Sequence, residues 1–157
     1  MGGDDIEVRA GMAYAALLSG ITLANAGLGV VHGLASALGG LFEIPHGVVC
    51  GTLVGAWIKV TIEKLREHGE EAGIALGKFA RVGALFSGCD SKDTDLCCAR
   101  LTQKVDEWTY TLKLPPLNEY GITESDIENI LDRTGNKNNP VKLDRSDIQK
   151  IIKMRLK

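Results

Sequence analysis

The chain has 157 residues, of which 45% are hydrophobic and 24% charged, a composition that excludes a disordered chain and allows one domain with its own core. The formal net charge is −2 and no block of Lys and Arg is present, so nucleic acid is not expected as a partner. Aromatic residues are scarce at 5% beside 19 glycines, which favours closely packed helices over strands.

The first predicted element is a helix over residues 6–38, with a break near Gly27 or Gly29, because apolar residues recur there at helical spacing. Gly39-Gly40 is expected to end this helix, since glycine tolerates the backbone angles of a helix end. The longest apolar stretch, residues 12–42, is interrupted by polar residues and glycines. It is therefore interpreted as buried in protein and not as a membrane span.

Pro45 is expected at the start of the next helix, because proline is favoured in the first turn, where its missing N–H is not needed. No strand is predicted, and no glycine-rich phosphate loop follows one, so no nucleotide-binding fold is placed on the chain. The sequence predicts one all-α domain over residues 1–157. Its remaining elements are helices over 46–67, 70–86 and 93–112, a proline linker over 114–117, and two short helices that open near Thr123 and Asp144.

The four cysteines, Cys50, Cys89, Cys97 and Cys98, form no C-x-x-C pair, and two of them are adjacent. They are interpreted as reduced thiols of a cytoplasmic protein. A structural zinc site at the last three is the alternative, although the usual ligand spacing is absent. The acidic start of the chain also favours a cytoplasmic location, since a secretory leader would begin with basic residues.

Three histidines are the candidates for metal chemistry. His68 lies in a charged run and is expected at the surface, whereas His32 lies in an apolar run and His46 follows a proline at a helix start. On one continuous helix, His32 and His46 would be about 21 Å apart. Both can bind one metal ion only if the chain folds back between them. The alternative is that both are hydrogen-bonded core residues.

The position of His46 at a helix start favours its neutral form, because the partial positive charge there disfavours an imidazolium, and neutral imidazole is the form that binds metal. The same field disfavours the cation, so a carboxylate is expected in the site. Ser36 lies one helical turn after His32 and is expected on the same face. It would either line the same pocket or serve as a small packing residue.

The run from residue 25 to residue 48, with His32 and the sequence Pro45-His46-Gly47, resembles the signature of the iron-containing alcohol dehydrogenases. Residues 117–122 and 139–148 resemble the closing segments of the same family, so the resemblance covers nearly the whole chain. It implies a helical bundle like the C-terminal domain of the iron-containing alcohol dehydrogenase and dehydroquinate synthase-like fold.

In that family an N-terminal α/β domain binds NAD or NADP, and a C-terminal helical domain holds a divalent metal, usually iron and sometimes zinc. One Asp and three His bind the metal, and the last two His match His32 and His46. The other two ligands, an Asp and a His four residues later, belong to a preceding helix, and this sequence contains no such pair. Many members carry a further His near the nicotinamide at the position of Ser36, which makes Ser36 the candidate catalytic residue, although serine is a poorer acid–base group.

The resemblance implies the C-terminal domain of an enzyme that oxidises a small alcohol to an aldehyde or ketone, with hydride transfer to NAD or NADP and a metal as Lewis acid. Such an enzyme is expected to be a homo-oligomer with no membrane or nucleic-acid partner, and the 157 residues alone are expected to be inactive. A related zinc-dependent member, of the glycerol dehydrogenase or dehydroquinate synthase type, is a second enzymatic possibility. The alternative of another class is a non-catalytic helical module for structure or self-association.

Overall fold

The computed structural model describes residues 3–157, except for the side chain of Glu70, and these residues form helices and connecting segments without a β-strand. The prediction of an all-α protein is confirmed. Short 3₁₀ turns lie at Gly69–Ala72, Leu117–Tyr120 and Glu124–Asp126. The α-helices are α1 (Ile6–Ala26), α2 (Val30–Leu41), α3 (His46–Glu67), α4 (Gly73–Ser87), α5 (Thr94–Thr111), α6 (Ile127–Arg133) and α7 (Arg145–Lys153).

The predicted break in the first helix is confirmed, because α1 ends at Ala26 and α2 begins at Val30. The predicted end at Gly39-Gly40 is wrong, since α2 continues through both glycines to Leu41. Neither glycine has a positive φ, and the fully buried Leu38 holds this turn in its helical conformation. Glycine permits a helix end but does not enforce one where the adjacent turn is buried.

The chain reverses direction through the segment 42–45, which joins α2 to α3. Phe42 is extended (φ −136°, ψ 152°), and its N–H donates to the carbonyl of Leu38, which closes the last turn of α2. From His32 to Leu41 the helix advances by about 14 Å. The segment 42–45 spans at most about 14 Å, and it contains a tight turn in which the N–H of Ile44 donates to the carbonyl of Phe42. The start of α3 is thereby carried back toward the first turn of α2.

The larger hydrophobic core lies between α2, α3, α6 and α7. The apolar faces predicted for the last two helices point into it, which confirms the helical spacing of their isoleucines. The fully buried side chains at its centre include Leu34, Leu38, Leu53, Ile130 and Ile151. This core holds the two helices that carry the candidate histidines.

The smaller core packs the hairpin of α4 and α5 against α3. Gly88, with φ 71°, turns the chain after α4, and Cys89 and Cys97 then form a disulfide with their Cα atoms 6.2 Å apart. The interpretation of all four cysteines as reduced thiols is therefore wrong. The alternative zinc site is wrong as well, because the disulfide leaves Cys98 as the only free thiol of the three.

α1 lies outside both cores, and none of its side chains is buried. The interpretation of residues 12–42 as buried is therefore wrong for α1, whereas it is confirmed for the inward face of α2, where five of twelve residues are buried. By length and composition α1 is the one helix of the described residues that could cross a bilayer, with a mean hydropathy of 1.2, but core helices of soluble proteins have the same character. Its exposed large apolar side chains are Ile6, Val8, Met12, Tyr14, Leu17, Leu18, Ile21 and Leu23.

The N-terminal turn of α2 is held by the loop that follows α6. Asn139 accepts a hydrogen bond on its Oδ1 from the N–H of Val30 (3.0 Å), which satisfies a helix N-terminus that has no side-chain cap of its own. Gly33 packs directly on the backbone of Gly135, where a Cβ on Gly33 would lie 1.9 Å from the carbonyl oxygen. The residue adjacent to His32 is therefore a glycine because two backbones approach closely.

Gly33→Ala is expected to destabilise the fold by about 1–3 kcal/mol, because its methyl group must push α2 away from Gly135. The matched control is Gly39→Ala on the same helix, where nothing lies within 4 Å of an added Cβ. That control is expected to be neutral or to stabilise by up to about 1 kcal/mol. Urea unfolding followed by circular dichroism measures both, and equal stabilities of the two variants would contradict the close contact.

Replacing both Cys89 and Cys97 by Ser is expected to lower the free energy of unfolding by about 2.5 kcal/mol, the loop-closure entropy for a separation of eight residues. Urea unfolding of the oxidised chain and the double variant measures this difference. The denatured, unreduced chain should expose two reactive thiols and the reduced chain four, since the other two cysteines are free. Four thiols before reduction would show that the disulfide is absent.

Candidate metal centre

The two candidate histidines come together at the start of their helices. His32 is the third residue of α2 and His46 is the first residue of α3, and the reversal at 42–45 brings their ring centroids to 5.2 Å. The predicted return of the chain between them is confirmed. Their role as metal ligands stays a prediction.

A third side chain, Cys50, completes the cluster. It lies one turn after His46 on α3, with its Sγ 3.5 Å from Nε2 of His46 and 3.9 Å from Nδ1 of His32. One ligand atom from each of the three residues lies within 4.8 Å of the other two. Sequence reasoning had grouped Cys50 with the other thiols and missed this position. The spacing of His46 and Cys50, four residues apart on one helix, was the signal that could have indicated it.

The cluster lies at the surface of the larger core. His46 is exposed, whereas His32 and Cys50 are half-buried, and the body of Cys50 packs against the core. Burial raises the pKa of the Cys50 thiol, which therefore stays protonated at neutral pH and can donate its S–H to a ring nitrogen. His32 also lines a small cavity of about 230 Å³ beside Gly33 and Gly135, whereas the two larger cavities, of about 560 and 590 Å³, include none of the cluster residues.

The electrostatic setting of the cluster is partly positive. Both histidines lie in the first turn of a helix, where the free N–H groups and the helix dipole produce partial positive charge. A cation bound between the two turns would need an anionic ligand to offset this field. In the part of the chain that the structure describes, the expected carboxylate is not in the cluster, which contains two imidazoles and one thiol.

A divalent metal fits the nitrogen donors of this cluster. Neutral imidazole binds iron, zinc and cobalt, and the two rings already lie close enough to share one ion after small side-chain rotations. The donor chemistry therefore agrees with the divalent metal that the family resemblance implied. Two imidazoles leave further positions on a metal ion for other ligands.

The two remaining candidate residues, Ser36 and His68, are both exposed. Ser36 is exposed on α2, one turn after His32, as a residue that could face a substrate or a second domain. Burial as a small packing residue, the alternative for Ser36, is not what the structure shows. His68 is exposed after the end of α3, with its Nδ1 2.8 Å from the carbonyl of Lys64, which confirms its surface position.

Comparison with known proteins shows that the chain is similar to alcohol dehydrogenases. The sequence profile of the "Fe-containing alcohol dehydrogenase family, C-terminal" matches residues 1–156. Alcohol dehydrogenase 4 of Schizosaccharomyces pombe is 31% identical over 156 residues, which cover 96% of this chain and 34% of that protein. NADPH-dependent butanol dehydrogenase of Clostridium saccharobutylicum is 27% identical over 157 residues, which cover 94% of this chain and 38% of that protein.

The similarity extends from the sequence to the three-dimensional structure. The crystal structure of a 1,3-propanediol oxidoreductase superposes with a TM-score of 0.75 at 28% identity, over 98% of this chain and 39% of that chain. This chain thus spans between a third and two fifths of the length of these three proteins. Because the family profile covers it almost completely, the chain belongs to the Fe-containing alcohol dehydrogenase family, of which it represents the C-terminal helical domain.

Proposed function

We propose that the chain supplies the metal-binding face of an alcohol dehydrogenase, with His32 and His46 as ligands of a divalent cation, iron or zinc. The observation that carries this proposal is the convergence of the two rings to 5.2 Å at the ends of two different helices. The family match supports it, since the relatives named above are alcohol dehydrogenases. The remaining ligands would come from another part of the enzyme.

The chemistry follows from what these side chains can do. When bound, the cation would act as a Lewis acid toward the oxygen of a small alcohol or aldehyde. The imidazoles of His32 and His46 would hold the ion where another part of the enzyme can reach it, since His46 is exposed. The Ser36 hydroxyl, one turn away, can donate or accept a hydrogen bond but is a weak acid–base group at neutral pH. A proton that leaves the alcohol therefore needs a carrier other than Ser36.

The hydride acceptor of the proposed reaction is NAD or NADP, as in the NADPH-dependent relative. No strand is present in residues 3–157, so the dinucleotide would bind to another part of the enzyme, and these 157 residues alone should not oxidise alcohols. We also propose a cytoplasmic location and no membrane or nucleic-acid partner. The net charge of −2 supports the absence of a nucleic-acid partner.

Metal binding tests the proposal without requiring turnover. The chain is titrated with Zn²⁺ and, without oxygen, with Fe²⁺ by calorimetry, beside His32→Ala and His46→Ala. Each variant is expected to weaken binding at least about tenfold, because each removes one of few ligands. His68→Ala is the matched control, since His68 is exposed and lies outside the cluster.

Equal affinities of the wild-type chain and both cluster variants would overturn the assignment of these histidines. Circular dichroism of each variant shows whether the helices are intact, which separates loss of a ligand from loss of the fold. One metal per two chains, lost in the variants, would instead indicate a site shared between copies.

Self-association is the second property that a specific observation favours. We propose that copies of the chain associate through α1, whose large apolar side chains are all exposed and whose helix none of the described residues buries. A homo-oligomer would remove this surface from water. The non-catalytic module considered from the sequence would share this property, but the family match favours the enzyme.

Sedimentation velocity is expected to show a species larger than the 16.8 kDa of one chain. Leu17→Lys on α1 should shift it toward the monomer, because a charge replaces an apolar contact at the interface. Leu85→Lys on α4 is the control, since Leu85 is 84% exposed and is not on α1. A monomeric wild-type chain would exclude association through α1.

A further inference from the structure

We propose that Cys50 is a third protein ligand of the metal, so that the chain itself provides a nitrogen–nitrogen–sulfur site that favours Zn²⁺ and Co²⁺ over Fe²⁺. The inference rests on the proposed function only for His32 and His46 as ligands. It assigns a role to the one free thiol outside the α4–α5 hairpin.

The distances agree with coordination of one ion. With zinc bonds of about 2.3 Å to sulfur and 2.0–2.1 Å to nitrogen, a tetrahedral site separates the sulfur and nitrogen atoms by about 3.5 Å. The Sγ of Cys50 lies 3.5 Å from Nε2 of His46 and 3.9 Å from Nδ1 of His32. The ligand atoms all lie within 4.8 Å of one another, and a tetrahedral site separates two nitrogens by about 3.4 Å, so rotation of the histidine rings would complete the approach around one cation.

The thiol is also held in place by the fold. Cys50 and His46 project from the same face of α3 because they are four residues apart, and α3 is anchored in the larger core by Val49 and Leu53, which are fully buried. Cys50 itself packs against that core. A ligand set by a rigid helix loses little conformational freedom when the ion binds.

Charge favours the same assignment. The cluster lies at two helix N-termini, whose partial positive charge opposes a cation, and no carboxylate of the described residues belongs to it. A metal-bound cysteine is a thiolate, which releases its proton to solvent and supplies the negative charge that the imidazoles lack. Thiolate is a soft ligand, and affinity rises from Fe²⁺ to Co²⁺ at sites of this kind, which gives the order of preference.

Cobalt titration tests the proposal directly, because a thiolate bound to Co²⁺ gives an intense charge-transfer band in the near ultraviolet that imidazole does not give. The air-oxidised chain, without reductant, is titrated with Co²⁺ and Zn²⁺ beside Cys50→Ala, Cys50→Ser and Cys98→Ala. The last variant is the matched control, because it also removes a free thiol but lies in the other core. Circular dichroism confirms that all chains are folded.

The wild-type chain and Cys98→Ala should develop the band at one cobalt per chain, and both Cys50 variants should lose it and bind Zn²⁺ at least tenfold more weakly. Cys50→Ser keeps a hydroxyl for a hydrogen bond, so an unchanged affinity in that variant would show that Cys50 only hydrogen-bonds a ring nitrogen. Binding that depends on both histidines but shows no band would overturn the Cys50 ligand and leave the proposed function standing. Binding that depends on none of the three residues would overturn both.

Discussion

The first turn of α2 depends on a side chain from the other end of the chain. The side chain of Asn139 accepts a hydrogen bond from the N–H of Val30, which lies 109 residues earlier in the chain. The contact of Gly33 with Gly135 sets the spacing between α2 and the loop that follows α6. Because His32 lies in the same turn, its ring takes its position from these two contacts. The cluster of His32, His46 and Cys50 is therefore a product of long-range packing more than of the local signature that contains both histidines.

Two helix N-termini meet at the cluster, and this arrangement has opposite effects on its components. It brings two nitrogen donors together, yet its partial positive charge repels the ion that they would bind. The proposed metal site would need an anionic ligand to offset this field, and Cys50 is the candidate for it within the described residues. The open surface around His46 and Ser36 leaves room for a second domain to approach.

Much of this arrangement could be predicted from sequence, and the failures have a common cause. Proline at position 45 and the glycines at 27 and 29 act through local backbone preferences, so the break before α2 and the start of α3 were predicted correctly. The predicted helix end at Gly39-Gly40 was wrong because burial of Leu38 outweighed the local preference of glycine for a helix end. The position of Cys50 beside His32, the Cys89–Cys97 disulfide and the exposure of α1 depend on which elements become neighbours, which helical spacing does not specify.

The hydrogen bond between Asn139 and α2 also determines when the cluster of His32, His46 and Cys50 can form during synthesis. At 5–20 residues per second, the ribosome adds Asn139 roughly 5 to 20 seconds after Val30. Until then the first turn of α2 has no partner for its N–H, and His32 sits on an unanchored segment. A nascent chain that stalls before the loop is made would display both histidines and Cys50 without the geometry that unites them. Formation of the cluster therefore belongs to the finished polypeptide and not to its growth.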